Sequence, residues 1–356
     1  MIDAKRETWL DAAKGFAMIL VVAGHAYNHN DFITYIYWFH MPAFFLFSGY
    51  VSKPITQWSQ MRFYIKKRAH SLLIPYFTYL GIFTAFRYIG ELTHGNFSFS
   101  WYMKDIGSLL VGGRFITSYY GVFWFITCLF FTQLLFQVIF LLFKRTTARL
   151  LFILAFYIVS HIEGWYVGTL DGSEPSLHVF VPWNIDTSML ALCYYSIGYY
   201  AKTYLKQIPA LLTGICTLLT AGCITLQECN LLDYHLSIKY LVFGNYILDL
   251  FIPFIMTISY CGIFQLIKSV KIVSLLSFIN HRGLIIMYLH IGINKILLQF
   301  IDYGNILYTL LGVSIPLFIS ILLIENKHKI RAFLLHFLHI HAKHSTRLNV
   351  EYKEFR

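Results

Sequence analysis

The sequence predicts an all-α polytopic membrane protein with about ten transmembrane helices. Of its 356 residues, 58% are hydrophobic, 19% aromatic and only 13% charged, whereas soluble domains carry about 25% charged residues. The apolar residues fall into blocks of roughly 17 to 25 residues, the length with which a helix crosses a hydrocarbon core about 30 Å thick. A membrane β-barrel would instead show short segments of alternating polarity.

The apolar blocks give the order of the predicted spans. They lie near residues 9–27, 33–52, 70–92, 121–143, 148–164, 185–205, 208–227, 240–266, 283–301 and 304–324. The block 240–266 is long enough to tilt, and the block 148–164 is the shortest. An even number of spans puts both termini on one side of the membrane.

Basic residues predict the orientation of these spans. They concentrate in alternate connections and in the tail, so that 23 of the 28 Lys and Arg residues fall on one side. The positive-inside rule makes this side cytoplasmic, and both termini are therefore predicted to be cytoplasmic. The net charge of +11 follows from this orientation, and we expect contact with membrane lipids and no nucleic-acid partner.

The chain is predicted to contain one membrane domain, residues 1–324, and a basic cytoplasmic tail, residues 325–356. No Pro/Ser-rich linker or strong internal repeat divides the first part. The tail interleaves His, Lys and Arg with Leu and Phe, a pattern typical of an amphipathic helix on anionic lipid; metal binding by its histidines is the alternative. The six cysteines show no CxxC spacing, so we expect no disulfide framework and no cysteine metal site.

Lys14 and His25 in the first span are the first candidates for function. Eleven residues make about three helical turns and roughly 16 Å of rise, so the two side chains share one face at different depths. Ionisable groups inside spans usually face a bundle interior or an aqueous cavity. Asp11 has the i, i+3 spacing of an ion pair with Lys14. Such a pair could merely make a charge tolerable, or Lys14 could attract an anionic cytosolic ligand.

The first span also resembles a signal peptide, because two basic residues precede an apolar run. Asp11 and Lys14 would then lie inside the apolar region, and nine further spans follow. The first helix is therefore predicted to be retained.

Three histidines, His25, His40 and His290, lie within predicted spans. A single buried histidine is usually a hydrogen-bonded core group, but three are harder to explain in this way. Neutral imidazole accepts a proton near physiological pH, which suits a general base that activates a hydroxyl. His29 follows His25 by one turn and could join it on a metal, but no third ligand is evident, and no metal site is predicted.

The second span contains Pro42 and the small pair Ser48 and Gly49. Proline frees a backbone carbonyl and kinks a helix, which is tolerated in lipid beside a cavity or another helix. Close helix packing alone could explain Ser48 and Gly49.

These motifs together resemble the membrane-bound acyltransferase 3 family and, within it, the fucose 4-O-acetylase-like branch. The resemblance covers most of the chain and is most specific in the first 76 residues. The residues that carry it are Arg6, Trp9-Leu10-Asp11, Lys14-Gly15, Gly24-His25, Phe39-His40-Met41-Pro42, Ser48-Gly49-Tyr50, Lys66-Lys67-Arg68, Leu72-Leu73-Ile74-Pro75-Tyr76, Trp124-Phe125 and Tyr288-Leu289-His290.

The sequence departs from the family pattern at three positions. Lys14 stands where many members have Arg, and lysine cannot supply a bidentate fork to phosphate. Ser71 stands where a second arginine is common, and Asn280 stands where a glycine is usual.

The resemblance implies an acyl-CoA donor, acetyl-CoA in the first instance, with no tightly bound cofactor. It implies a hydroxyl of a cell-surface or lipid-linked saccharide as acceptor, and a location in the cell (inner, cytoplasmic) membrane. Donor binding is expected at basic and small residues on the cytoplasmic side. These residues are Lys14, Arg68, Lys67, Arg6 and Ser48.

The same resemblance suggests roles for the remaining candidates. We expect Asp11 to orient Lys14 and His25 to act as general base on the acceptor hydroxyl. His40 and His290 would orient the acceptor or stabilise the oxyanion. A transient acyl-histidine is the other chemical route.

A transporter or flippase of lipid-linked saccharides is the alternative function. It would also use embedded charges and a broken helix. Transporters often show paired halves with interrupted helices, and the sequence contains no such repeat. The concentration of motifs in the first three spans therefore favours an enzyme.

Overall fold

The computed structural model describes residues 7–26, 31–95, 98–170, 175–243, 245–267 and 269–325. Within these residues the fold consists of α-helices joined by loops that contain short 3-10 turns, and it contains no β-strand. The helices are α1 (Thr8–Gly24), α2 (Asp31–Tyr50), α3 (Met61–Arg68), α4 (Ile74–Thr93), α5 (Phe99–Val111), α6 (Trp124–Leu142), α7 (Thr146–Gly168), α8 (Thr187–Tyr200), α9 (Lys202–Leu205), α10 (Ala210–Glu228), α11 (Leu248–Leu266), α12 (Val270–His281), α13 (Gly283–Leu297) and α14 (Asn305–Glu325).

The predicted all-α polytopic membrane fold is confirmed. Each of the ten apolar blocks contains a helix, and among the described residues six helical segments are long and apolar enough to cross a membrane. The pair α12 and α13, bent by 75°, is a seventh candidate. Helices α1 and α8, with 17 and 14 residues, are shorter than a full span. The count of ten spans and their orientation therefore stay predictions.

The basic connection before the third span is helical. Helix α3 continues through a π-helical turn, Ala69–Leu73, into α4, so that Trp58–Thr93 forms one helical segment. Pro75 lies in the first turn of α4. Because proline has no amide hydrogen for the carbonyl four residues earlier, the wider turn accommodates it without ending the helix.

The predicted boundaries near the end of the chain need two corrections. In the block 240–266 the long α-helix begins at Leu248. The Asn245 side-chain oxygen accepts hydrogen bonds from the amides of Ile247 and Leu248, both at 3.0 Å, and so fixes this start. The connection between the predicted spans 240–266 and 283–301 contains a further helix, α12, whose start Ser269 caps by accepting a hydrogen bond from the amide of Ile272.

Helix α1 lies at the centre of the bundle, where it contacts α2, α11, α12, α13 and α14. Small residues on its buried faces allow this crowding: Ala12, Ala13 and Ala17 are fully buried. At Gly15 an added methyl group would collide with the backbone carbonyl of Leu276 on α12. The first half of α1 is thereby held in close contact with its neighbours.

Helices α2 and α8 also approach each other backbone to backbone. A methyl group at Gly49 would collide with the Tyr195 carbonyl, and one at Gly198 would collide with the Leu46 carbonyl. Small residues at helix crossings permit such an approach in membrane proteins. The contact explains Gly49 by packing and holds α2, which carries His40, in a fixed position.

Replacement of Gly49 by alanine is expected to destabilise the protein by about 1–3 kcal/mol, because overpacking forces the two backbones apart. Gly81→Ala is the matched control, since a methyl group there meets nothing within 4 Å. Thermal unfolding of the purified variants in detergent measures the difference. Equal melting temperatures for the two variants would show that the α2–α8 contact is not tight.

Candidate active site

A cavity of about 370 Å³ lies between α1, α2, α6 and α13 where α1 ends. We call this the His25 end of the bundle, and the opposite end, where α1 begins, the Lys14 end. The loops 117–122 and 236–240 complete the cavity wall. The residues that line it are Met18, Val21, His25, Tyr37, His40, Met41, Phe44, Thr117, Ser118, Gly121, Val122, Trp124, Phe125, Leu236, Ser237, Ile238, Lys239, Tyr240, Met287, Ile291, Lys295 and Tyr308.

His25 and His40 both line this cavity. His25 follows the last residue of α1 and is half-buried. His40 lies in the middle of α2 and is buried, with its Nδ1 2.7 Å from the Ile36 carbonyl oxygen. Because a carbonyl only accepts hydrogen bonds, Nδ1 carries the proton, and the Nε2 lone pair of His40 is left to accept another.

His290 on α13 stands beside His25 and is fully buried. The centroids of the two imidazole rings are 5.3 Å apart. The Nδ1 of His290 lies 2.9 Å from the Ile286 carbonyl oxygen, which assigns the proton to Nδ1. Its Nε2 is buried and has no hydrogen-bond partner among the described residues. The three predicted histidines are therefore brought together, two in the cavity wall and one against His25.

The predicted residues at the Lys14 end do not line the cavity. Asp11 is buried and accepts a hydrogen bond of 2.9 Å from Asn280 Nδ2 on α12. Asn280, which stands where the family pattern has a glycine, thus binds the Asp11 carboxylate. Lys14 is half-buried one turn further along the helix. The Ser48 hydroxyl donates to the Phe44 carbonyl of its own helix at 2.8 Å.

The remaining predicted donor-binding residues belong to α3 or lie outside the described residues. Lys67 is exposed in the last turn of α3. The Arg68 guanidinium lies 5.2 Å from the centroid of the Tyr64 ring, an arrangement that favours a cation. Arg6 lies outside the described residues, as do His29 and the tail after residue 325.

Two lysines that the sequence reasoning did not single out also line the cavity. Lys239 in the loop 236–240 is 8% exposed, and Lys295 lies on α13. The prediction of orientation placed both among the few basic residues away from the cytoplasm. Lys295 lies within a predicted span, so the argument that made Lys14 a candidate functional residue applies to Lys295 as well. The burial of Lys239 depends on contacts between distant loops.

A buried ion pair fixes the loops around the cavity. Arg114 is fully buried and pairs with Asp186, which also accepts a hydrogen bond from the Thr187 amide at the start of α8. Burial lowers the pKa of Arg114 to about 10, so the guanidinium stays charged at neutral pH. Nearby, Asn184 Nδ2 donates to the Lys239 carbonyl at 3.0 Å. The cavity wall is thereby attached to the start of α8.

In the part of the chain that the structure describes, no group of three or more His, Cys, Asp or Glu side chains could hold a metal ion. The described lining of the cavity contributes imidazole, ammonium and hydroxyl groups.

A family model described as "Acyltransferase domain" matches residues 7–325. The chain belongs to the acyltransferase 3 family. The predicted family is thus confirmed, and the protein is a multi-pass membrane acyltransferase; the fucose 4-O-acetylase-like branch stays a prediction. No curated protein and no solved structure matches the chain.

Family motifs that are distant in the acyltransferase sequence meet at the cavity. His25 and His40 come from the first two helices, and Trp124 and Phe125 begin α6. His290, from the last motif, contacts His25. The motif residues at the Lys14 end form a separate group.

We expect His40 and His290 of the acyltransferase to carry their protons on Nδ1, because each Nδ1 faces a backbone carbonyl. Nitrogen-15 NMR of histidine-labelled protein at pH 7 measures this, with assignments from His40→Gln and His290→Gln. A proton found on Nε2 with a bare Nδ1 would contradict the geometry.

Proposed function

We propose that this acyltransferase moves an acetyl group from cytosolic acetyl-CoA to a hydroxyl of a cell-surface or lipid-linked saccharide at the cytoplasmic membrane. The observation that carries the proposal is the cavity with His25 and His40 in its wall and His290 behind His25. Such a site offers a proton acceptor inside a bundle of low dielectric constant. Family membership supplies the reaction class.

In the proposed reaction, His25 takes the proton of the acceptor hydroxyl while the hydroxyl oxygen attacks the thioester carbonyl. A tetrahedral intermediate forms, the carbon–sulfur bond breaks, and the CoA thiolate takes the proton back from His25. The products are a saccharide ester and free CoA. General-base catalysis by a positioned imidazole is worth about 10²–10⁴-fold in rate.

The tautomers of His40 and His290 favour the role of orienting the acceptor. With Nδ1–H bonded to a carbonyl, the neutral ring has only an Nε2 lone pair to offer. This lone pair can accept a hydrogen bond from a sugar hydroxyl or from His25. A neutral Nε2 cannot donate to an oxyanion, so stabilisation of the intermediate is better assigned to donors elsewhere in the wall.

Binding of the donor is proposed at the Lys14 end. The CoA phosphates would be attracted by four basic residues: Lys14, Lys67, Arg68 and Arg6, the last of which lies outside the described residues. Asp11, held by Asn280, would orient Lys14. The Ser48 hydroxyl already donates its hydrogen bond within α2. Ser48 would therefore accept a hydrogen bond from the donor or, as a small residue, let the donor approach α2 closely.

The cavity reduces the distance that the donor must bridge. Its wall includes Met18 as well as His25, and Met18 follows Lys14 by four residues, about 6 Å of helical rise. The pantetheine arm would therefore need to pass about one turn of α1 to bring the thioester into the cavity.

Transport of a lipid-linked saccharide is the second candidate function. The 75° bend between α12 and α13 resembles the broken helices that transporters use. A transporter would move a labelled saccharide lipid across a bilayer without forming an ester.

His25→Ala is expected to lower the turnover number for acetyl transfer by about 10²–10⁴-fold, because the general base is lost. The assay uses full-length protein in proteoliposomes, labelled acetyl-CoA and an extract of lipid-linked saccharides. His235→Ala is the control, since its side chain is 60% exposed. Full transfer by His25→Ala would refute the general base, and translocation of saccharide without ester would favour a transporter.

A further inference from the structure

We infer that the acceptor carries an anionic group, a carboxylate or a phosphate, and that Lys239 and Lys295 bind this group in the cavity. The inference rests on the proposed function, because it assigns a chemical class to the saccharide. It starts from the two lysines in the cavity wall, which the proposed proton transfer does not use.

Lys239 is held in a defined position. Hydrogen bonds between the backbones of Ser237 and Val242, at 2.8 and 3.1 Å, close its loop, and Asn184 binds its carbonyl oxygen. Its ammonium group lies 3.4 Å from the Gly121 carbonyl oxygen and 4.7 Å from the centroid of the Tyr240 ring. The side chain of Lys239 is thereby fixed in the wall of the cavity and is almost fully buried.

Lys295 approaches the same turn from α13. Its Nζ donates to the Ser118 hydroxyl at 2.8 Å and lies 4.9 Å from the centroid of the Tyr119 ring. Ser118 and Gly121 belong to one short helical turn. The two ammonium groups are therefore attached to opposite ends of a single turn and border the same cavity.

The described lining of the cavity contains these two lysines and no Asp or Glu. Lysine ammonium groups in the wall of a cavity favour an anionic ligand over a neutral one. Hydroxyl groups of Tyr37, Thr117 and Ser237 in the same wall could bind the neutral part of a sugar. The combination suits a saccharide with one anionic group better than a neutral one.

The position of the lysines relative to the histidines agrees with this role. Lys295 and His25 both line the cavity, and His25 contacts His290, which precedes Lys295 on α13 by about 7 Å of helical rise. An acceptor whose anion contacts Lys295 would therefore extend toward His25. The anion would thus fix which hydroxyl meets the general base.

The test is binding of small glycosides to the full-length protein in lipid nanodiscs, measured by isothermal titration calorimetry. The probes are methyl β-D-glucuronide, glucose 1-phosphate and methyl β-D-glucoside. The first two separate carboxylate from phosphate, and the third is the neutral reference. We expect at least one anionic probe to bind at least about tenfold more tightly than the neutral probe, as a charge-assisted hydrogen bond predicts.

The variants separate binding from a structural role. Lys239→Gln with Lys295→Gln keeps an amide donor at each position and is expected to reduce the preference to below about twofold, whereas the two Lys→Arg changes should retain it. If the double variant does not fold, Lys295→Gln alone, at a half-buried position, tests whether the anion preference falls. Lys104→Gln, at an exposed position on α5, is the control and should keep the full preference.

The inference would be overturned if neither anionic probe bound more tightly than methyl glucoside, or if the preference persisted after both Lys→Gln changes. Failure of the proposed function is a different result. A protein with the anion preference but without acetyl transfer would refute the reaction and retain the anion site. Transfer of acetyl without any anion preference would support the reaction and refute the anion site.

Discussion

The cost of placing polar side chains in a bundle of low dielectric constant is the constraint on which this acyltransferase depends. The protein meets this cost at several positions with hydrogen bonds and ion pairs. Asp11 is bound by Asn280, and Arg114 pairs with Asp186. His40 and His290 each use Nδ1 on a carbonyl one turn earlier. Each of these two rings keeps an Nε2 lone pair; His40 lines the cavity, and His290 stands against His25, which also lines it.

Much of the helical framework could be predicted from the apolar blocks, because block length and polarity are properties of the local sequence. The observed helices differ from the predicted spans where a few capping residues or contacts between distant residues set the helix boundaries. The side chain of Asn245 delays the start of α11 by eight residues relative to the predicted block at 240–266. Ser269 caps α12, which then packs on α1. Neither the bend before α13 nor the close approach at Gly15 could be derived from hydropathy.

The candidate site was predictable in part for the same reason. His25, His40 and His290 stand out as ionisable residues within apolar blocks, and the fold brings them to one place. Lys239 stands at the edge of a predicted span, and its burial depends on Asn184 and Gly121, which are distant in sequence. The predicted donor residues lie at the other end of α1. In the proposed reaction, donor and acceptor would therefore enter from opposite ends of the bundle.

Electron cryomicroscopy of the protein with a non-hydrolysable ketone analogue of acetyl-CoA would examine this arrangement directly. We predict that the CoA phosphates lie at the Lys14 end, near Lys14 and Arg68. The pantetheine arm should pass Met18, and the acetyl carbonyl should lie in the cavity beside His25. Phosphates bound at the His25 end, or an acetyl group outside the cavity, would contradict the proposed path of acyl transfer.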